Sequence, residues 1–129
     1  MAYQVHAFKL GTLVAGADLS APSNQYRAVR INNAGKVILC AAITDVAIGV
    51  LQNTPTLDQP AEICCVGATK YRAGAATTAG LNLSCGTDGR PITAAGVGTP
   101  VFGVVLEGTA AANEIGTALI GVTTRQLTA

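Results

Sequence analysis

The chain contains one short pattern twice. "DVAIGVLQNTP" occupies Asp45–Pro55 and "TPVFGVVLEGT" occupies Thr99–Thr109. In both, a glycine stands between bulky apolar residues, a short apolar run follows, and a polar turn ends the pattern. Glycine inside a strand costs stability, so it often marks a β-bulge or a close approach of two backbones. The repetition therefore indicates a fold in which two separate strands each contain a β-bulge, or a close backbone approach, at an equivalent glycine.

The repeat continues beyond these two phrases. Gly49 is followed 18 residues later by Gly67, and Gly103 is followed at the same distance by Gly121. The offset between the two copies is 54 residues, and each copy has the order strand, polar loop, strand. We predict two equivalent β-hairpins that cover opposite sides of one small barrel. The alternative is coincidence in a chain that is rich in glycine and alanine.

The rest of the sequence consists of short alternating runs between turn signals. "NNAG" at Asn32–Gly35 and "GTDG" at Gly86–Gly89 are predicted hairpin turns, because Asn-rich and Asp-Gly sequences readily supply positive φ. "KVILCAAI" reads as a buried strand, and "LNLSC" places Leu81, Leu83 and Cys85 on one face. No segment shows a sustained 3.6-residue period with caps. The predicted fold is all-β, a small β-sandwich or barrel of short antiparallel strands with an N-terminal arm.

Two units are expected along the chain. Residues 1–25 are less regular and form an N-terminal arm or a first strand, whereas residues 26–129 form a single β-rich domain. The 129 residues are enough for one hydrophobic core. With a net charge of +1 and 12 % charged residues, the chain has no basic stripe for nucleic acid. Its apolar runs are shorter than the ~20 residues of a membrane span, and "LGTLVAGAD" is a poor signal peptide, which favours synthesis in the cytoplasm.

Residue types that carry chemistry do not form a recognisable constellation. The single histidine is His6, and the four cysteines lack the paired CxxC or CxxH spacing of a zinc site. We therefore expect free, mostly buried thiols rather than disulfides, with no metal, no cofactor and no catalytic residue. "NAGKVI" lacks the remaining residues of a phosphate-binding loop, and most of the seven carboxylates fall in predicted turns. A hydrolase built on paired carboxylates is the least supported alternative.

The order of these motifs resembles the small capsid cement (decoration) proteins of tailed bacteriophages, over Tyr26 to Val122. The matching phrases are Gly49–Asn53, Gly67–Lys70, Ala79–Leu81 with Asp88–Arg90, Gly103–Glu107 and Ile115–Ile120. The resemblance implies a β-rich, commonly trimeric virion protein without enzymatic activity. Such a protein sits on the outer capsid surface and clamps neighbouring major capsid subunits, so the expected partners are the major capsid protein and sister copies in a homotrimer.

Two further expectations complete the sequence-based hypothesis. The alternative function is a β-barrel binding module for a small ligand or an oligosaccharide, although only 4 % of the residues are aromatic and stacking platforms need aromatic faces. In the N-terminal arm, the apolar residues Tyr3, Val5, Phe8 and Leu10 alternate imperfectly with polar ones. We expect these four to contact the capsid or a sister subunit, by adding a strand to a neighbouring sheet edge.

Overall fold

The computed structural model describes the backbone of residues 5–125 and the side chains of residues 11–121. Over this range the chain forms one nine-stranded antiparallel sheet that curls into a half-barrel, which confirms the predicted all-β class. A single 3-10 turn at Pro22–Asn24 is the only helical segment among the described residues. The strands are β1 Val5–Leu10, β2 Ala28–Ile31, β3 Val37–Leu39, β4 Gly49–Leu51, β5 Ile63–Arg72, β6 Asn82–Ser84, β7 Ile92–Thr93, β8 Pro100–Glu107 and β9 Ile115–Arg125.

Strand β5 is where the sheet converges. The strand order is β3-β2-β4-β5-β9-β8-β6-β7, and β1 joins off this path by pairing with β5. Cys64 of β5 pairs with Val50 of β4 and also with Lys9 of β1, so these two strands lie on opposite edges of β5. The second part of β5 pairs with β9 over six residues, from Gly67 opposite Ile120 to Arg72 opposite Ile115. Because β5 touches three strands, it fixes their relative positions.

The sheet consists of two halves with the same pairing. Strands β2 to β5 correspond to β6 to β9, and the strand order is symmetric about the β5–β9 pair. The register agrees residue by residue when 54 is added to each number. The corresponding pairs are Ala28–Val50 and Asn82–Val104, Val29–Gly49 and Leu83–Gly103, Val29–Leu39 and Leu83–Thr93, and Arg30–Ile38 and Ser84–Ile92. The repeat that the sequence showed between two hairpins therefore extends to residues 26–67 (the first half) and 80–121 (the second half).

Glycines of the repeat have matching backbone roles in the two halves. Gly67 and Gly121 both have left-handed backbone, with φ of 113° and 102°. A Cβ at Gly103 would lie 2.7 Å from the carbonyl oxygen of Leu119, and a Cβ at Gly49 would overlap the carbonyl oxygen of Cys64. Both glycines therefore let a facing strand approach closely, as the sequence pattern predicted.

The two repeated hairpins do not cover opposite sides of a barrel, and that prediction is wrong. Each copy does form a hairpin, since β4 pairs with β5 and β8 pairs with β9. The hairpins lie side by side, however, because β5 and β9 pair directly with each other. A hairpin pattern fixes contacts between neighbouring strands but not which hairpin edges meet.

Two hydrophobic cores lie on the two faces of the first half. In β2 and β4, alternate residues point to different cores: Ala28 and Val50 to the main core, Val29 and Leu51 to the second core. The main core lies between the halves and contains Ala28, Cys40, Ala47, Val50, Tyr71, Ala73, Leu83, Cys85, Phe102, Val105, Ala118 and Ile120. The second core contains Ala15, Leu19, Val29, Val37, Leu51, Ala61 and Ile63.

The segment before β2 closes the second core. Ala15 and Leu19 are buried in this core, and their backbone N–H groups donate to the carbonyls of Gln59 and Pro55, each at 2.9 Å. Gly16 N–H donates to Val37 O at 2.7 Å, which ties the segment to β3. Through these bonds the irregular segment covers a sheet face that would otherwise expose apolar side chains.

Two local predictions differ from the structure. The run "KVILCAAI" is a strand only at Val37–Leu39, because Asp45 Oδ2 accepts the N–H groups of Ala41 and Ala42 and turns the chain. Leu81 does not share a buried face with Leu83, since it precedes β6 and is 46 % exposed. The turns at Asn32–Gly35 and Gly86–Gly89 are confirmed by left-handed φ at Gly35 (77°) and Gly89 (84°).

The repeat predicts matched effects of adding a methyl group to its glycines. Gly49→Ala and Gly103→Ala should each lower the free energy of unfolding by about 1–3 kcal/mol, because the new Cβ meets a carbonyl of the facing strand. Gly11→Ala is the control, since a Cβ there has nothing within 4 Å, and its effect should stay within about 0.5 kcal/mol. Urea unfolding followed by circular dichroism measures all three. Equal stability of Gly103→Ala and the parent chain would contradict the close approach.

Candidate interface

Three of the carboxylates among the described side chains accept backbone hydrogen bonds in turns. Asp18 accepts hydrogen bonds from the side chain and from the backbone N–H of Ser20, and these two bonds lower the pKa of the Asp18 carboxyl. Asp45 holds the turn after β3, and Asp88 accepts the N–H of Arg90. Within residues 11–121, no three His, Cys, Asp or Glu side chains are grouped to hold a metal ion. None of the helical segments described is long and apolar enough to span a membrane.

The four cysteines are thiols in the structure, and three of them are buried. Cys85 Sγ donates to Ala42 O at 3.1 Å, and a hydrogen bond from the Cys40 thiol lowers the pKa of Cys85. The same hydrogen bond, together with burial, raises the pKa of Cys40. Because both side chains are 1–2 % exposed in the main core, this pair packs the core and does not face a substrate.

A buried hydroxyl cluster joins two loops. Tyr71 OH lies 2.5 Å from Thr77 Oγ1, which lies 2.9 Å from Thr109 Oγ1. The backbones of Thr77 and Thr109 also exchange hydrogen bonds of 3.0 and 3.1 Å. Burial raises the pKa of Tyr71, so its hydroxyl stays protonated in its role as a hydrogen-bonding group. This cluster fastens the loop after β5 to the loop after β8.

The surface around strands β5, β9 and β8 carries exposed apolar side chains, most of them on the side of the sheet that points away from the main core. We call this set the outer patch: Val66, Leu81, Val104, Leu106 and Leu119. Val104 is half-buried and the other four are exposed, Val66 by 54 %. Large apolar side chains scattered singly are normal on a protein surface, but a contiguous group marks a binding surface.

Backbone register makes the outer patch contiguous across four strands. Val104 of β8 lies opposite Leu119 of β9 on one side and Asn82 of β6 on the other. Leu119 in turn lies opposite Ala68 of β5. Residues directly opposite each other in antiparallel strands lie on the same face of the sheet. Leu81 precedes β6, and its carbonyl accepts the N–H of Val105 at 3.0 Å, so Leu81 lies beside β8 at the border of this face.

Val66 extends the outer patch along β5. A Cβ at Gly121 would lie 3.3 Å from Val66 Cγ2, so the Val66 side chain reaches β9 two residues beyond Leu119. Leu106 lies two residues beyond Val104 on β8, where the register with β9 shifts. The five side chains therefore surround the β5–β9–β8 junction.

Two positions of the first half that correspond to this face are fully covered. Val104 corresponds to Val50, which is 0 % exposed in the main core, and Asn82 corresponds to Ala28, also 0 % exposed. In the first half this face packs against the second half. In the second half the same positions are more open: Val104 and Asn82 are both half-buried. The same strand framework thus provides one covered face and one open face.

Three of the four arm residues predicted from the sequence lie in β1, which pairs with β5 beside the outer patch. The register places Val5 opposite Ala68, Phe8 opposite Val66 and Leu10 opposite Ile63. Tyr3 lies outside the described residues, and for Val5, Phe8 and Leu10 the structure describes backbone only. Strand β1 therefore borders the outer patch. The outer patch itself was missed, although alternation in "VFGVVLEG" could have placed Val104 and Leu106 on the face opposite Val105.

The fold defines an all-β protein built as a curled antiparallel half-barrel of two equivalent halves. A solved structure with this fold is the N base of head fiber gp8.5 in bacteriophage phi29. The two share a TM-score of 0.66 at 20 % sequence identity, over 88 % of this chain and 94 % of that one. No protein-family model and no curated protein sequence matches the chain.

Burial predicts the reactivity of the thiols. In the native protein Cys65, which is half-buried, should react with a thiol-titrating disulfide reagent well before the three buried cysteines. After denaturation without reductant, four thiols should titrate. Cys65→Ser should remove the fast phase, and the neighbouring control Cys64→Ala should retain it. Two thiols or none after denaturation would show that the cysteines are oxidised.

Proposed function

We propose that this chain is a structural virion protein of a bacteriophage, without enzymatic activity. It binds the outer surface of the capsid and cements neighbouring major capsid subunits. The observation that carries this proposal is the likeness in fold to the phi29 head fiber base over nearly all of both chains. The order of motifs that resembles capsid cement proteins supports it independently. The chain is made in the host cytoplasm and ends in the virion.

The outer patch is the surface that fits such a role. It is apolar and lies across the β5–β9–β8 pairing, and the first-half counterparts of Val104 and Leu106, which are Val50 and Gln52, are buried. We assign the outer patch to contact between sister copies in a homotrimer. In a closed ring of three copies, the outer patch of every copy is buried against a neighbouring copy. It also protects the short strand edges that an open half-barrel leaves unpaired.

Residues 1–25 form the attachment arm in this proposal, and residues 26–129 form the body of the protein. Within the arm β1 already pairs with β5, beside the outer patch. Tyr3, Val5, Phe8 and Leu10 then extend the contact surface from the sister copies to the major capsid protein. Burial of apolar surface contributes roughly 25 cal/mol per Å². A modest area at each junction, repeated over many junctions of the shell, stabilises the whole capsid.

The trimer is tested by placing a charge in the outer patch. Leu119→Asp should shift the protein from trimer to monomer in native mass spectrometry, because the carboxylate would have to be desolvated on assembly. Leu57→Asp is the matched control, since Leu57 is 57 % exposed in the loop between β4 and β5 and lies outside the patch. The control should remain trimeric, and circular dichroism should show both variants folded. A monomeric parent chain, or a trimeric Leu119→Asp variant, would contradict the assignment.

The arm is tested by deletion of residues 2–10. The described members of both cores lie between residues 13 and 120, so the truncated protein should remain folded by circular dichroism. It should co-sediment less with capsids than the full chain does, because the arm contacts are gone. Unfolding of the truncated protein would assign the arm to the core. Undiminished capsid binding would show that the arm does not attach the protein.

A further inference from the structure

Three arginines from separate parts of the chain meet in one hydrogen-bonded ring. Arg27 precedes β2, Arg72 ends β5 and Arg90 follows the turn between β6 and β7. All three are half-buried, so their side chains are held against the protein rather than extended into solvent. We call them, together with Asp88 and Asn113, the arginine ring.

The bonds of the ring close on themselves. Arg27 Nη1 donates to Asp88 O at 3.0 Å, and Arg90 Nε donates to Asp88 Oδ2 at 2.9 Å. Arg90 Nη1 donates to Asn113 Oδ1 at 2.9 Å, and Arg72 Nη1 lies 3.4 Å from Asn113 O. Arg72 Nε lies 3.4 Å from the carbonyl of Gln25, two residues before Arg27, which completes the circuit.

Charge in the ring is unbalanced. Three guanidinium groups face one carboxylate, Asp88, whose pKa is lowered chiefly by its hydrogen bond from Arg90. Burial and the like charges of Arg90 and Arg72 lower the pKa of Arg27, against the opposite pull of Asp88. The ion pairs Arg30–Asp45 and Lys36–Asp58 are one-to-one in comparison.

The geometry of the ring leaves donors for a ligand. Arg72 uses Nε and Nη1 in the ring. Arg27 uses Nη1 in the ring and donates from Nε to Ser23 O. The Nη2 groups of both residues take part in none of these bonds. Their guanidinium planes are already fixed, so little side-chain entropy is lost when an anion binds.

We propose that the arginine ring is a docking site for carboxylates of an acidic segment on a partner protein. Guanidinium groups recognise carboxylates through paired N–H donors, which a planar, pre-positioned arginine provides. A nucleic acid would need a stripe of positive charge along the chain, whereas the net charge of this protein is +1 and the ring is local. This site shares no residue with the outer patch, so it goes beyond the proposed cementing role.

The experiment uses the full chain and a hexaglutamate peptide as the probe. Isothermal titration at low ionic strength should show binding of hexaglutamate and none of hexaglutamine. Arg72→Gln should weaken that binding about tenfold, the loss expected for one charge-assisted hydrogen-bonding group. Arg27→Gln should act in the same direction. Lys36→Gln removes the same charge outside the ring and should change the affinity less than about twofold, as expected for an exposed charge.

Several outcomes would overturn the proposal. Circular dichroism must show that the variants are folded. If a folded Arg72→Gln variant binds hexaglutamate as tightly as the Lys36→Gln control does, the binding depends only on net charge and not on the ring. Inorganic phosphate that binds as tightly as hexaglutamate would leave a small-anion site only. Tighter binding of a single-stranded DNA hexamer would identify nucleic acid as the partner instead. None of these measurements involves capsids. A negative result here would therefore leave the proposed capsid function untouched, and a negative result in the capsid experiments would leave the arginine-ring proposal untouched.

Discussion

The pairing of β5 with β9 is the interaction on which the rest of the structure depends. It joins the two halves through six consecutive residue pairs, beginning at Gly67 opposite Ile120. At this junction both strands need left-handed backbone, which Gly67 and Gly121 supply without the steric cost that a Cβ would add. Each half places its remaining strands outward from this pair, so the order of the whole sheet follows from it.

One consequence is that equivalent residues of the two halves have different surroundings. Val50 and Val104 are identical in type and in strand position, yet Val50 is fully buried and Val104 is only half-buried. The first half is covered on one face by the second half and on the other by the segment around Ala15 and Leu19. The second half has one covered face. The apolar outer patch of the sheet therefore remains exposed, because in the described part of the chain no segment equivalent to the one around Ala15 and Leu19 covers it.

The loops show a similar division between local and tertiary causes. The turn at Gly86–Gly89 was predicted from its sequence, and Asp88 within it does accept the N–H of Arg90. The ring that Asp88 forms with Arg27 and Arg72 was not predicted. Its members are far apart in the chain, and no local pattern relates residue 27 to residue 88 or residue 72 to residue 113. The arginine ring exists because three loops reach the same place in the folded sheet.

The sequence by itself determined the all-β class, the two repeated hairpins and the main turns, because period-2 alternation and glycine placement act over a few residues. It did not determine the extent of β3, which Asp45 shortens, or the exposure of Leu81. Only the tertiary structure decided that the hairpins pair side by side and that Val66, Leu81, Val104, Leu106 and Leu119 form one open surface. Alternation tells which residues share a face of a strand. Whether that face is covered depends on which distant segment packs against it, and this is settled by the free energy of the whole fold.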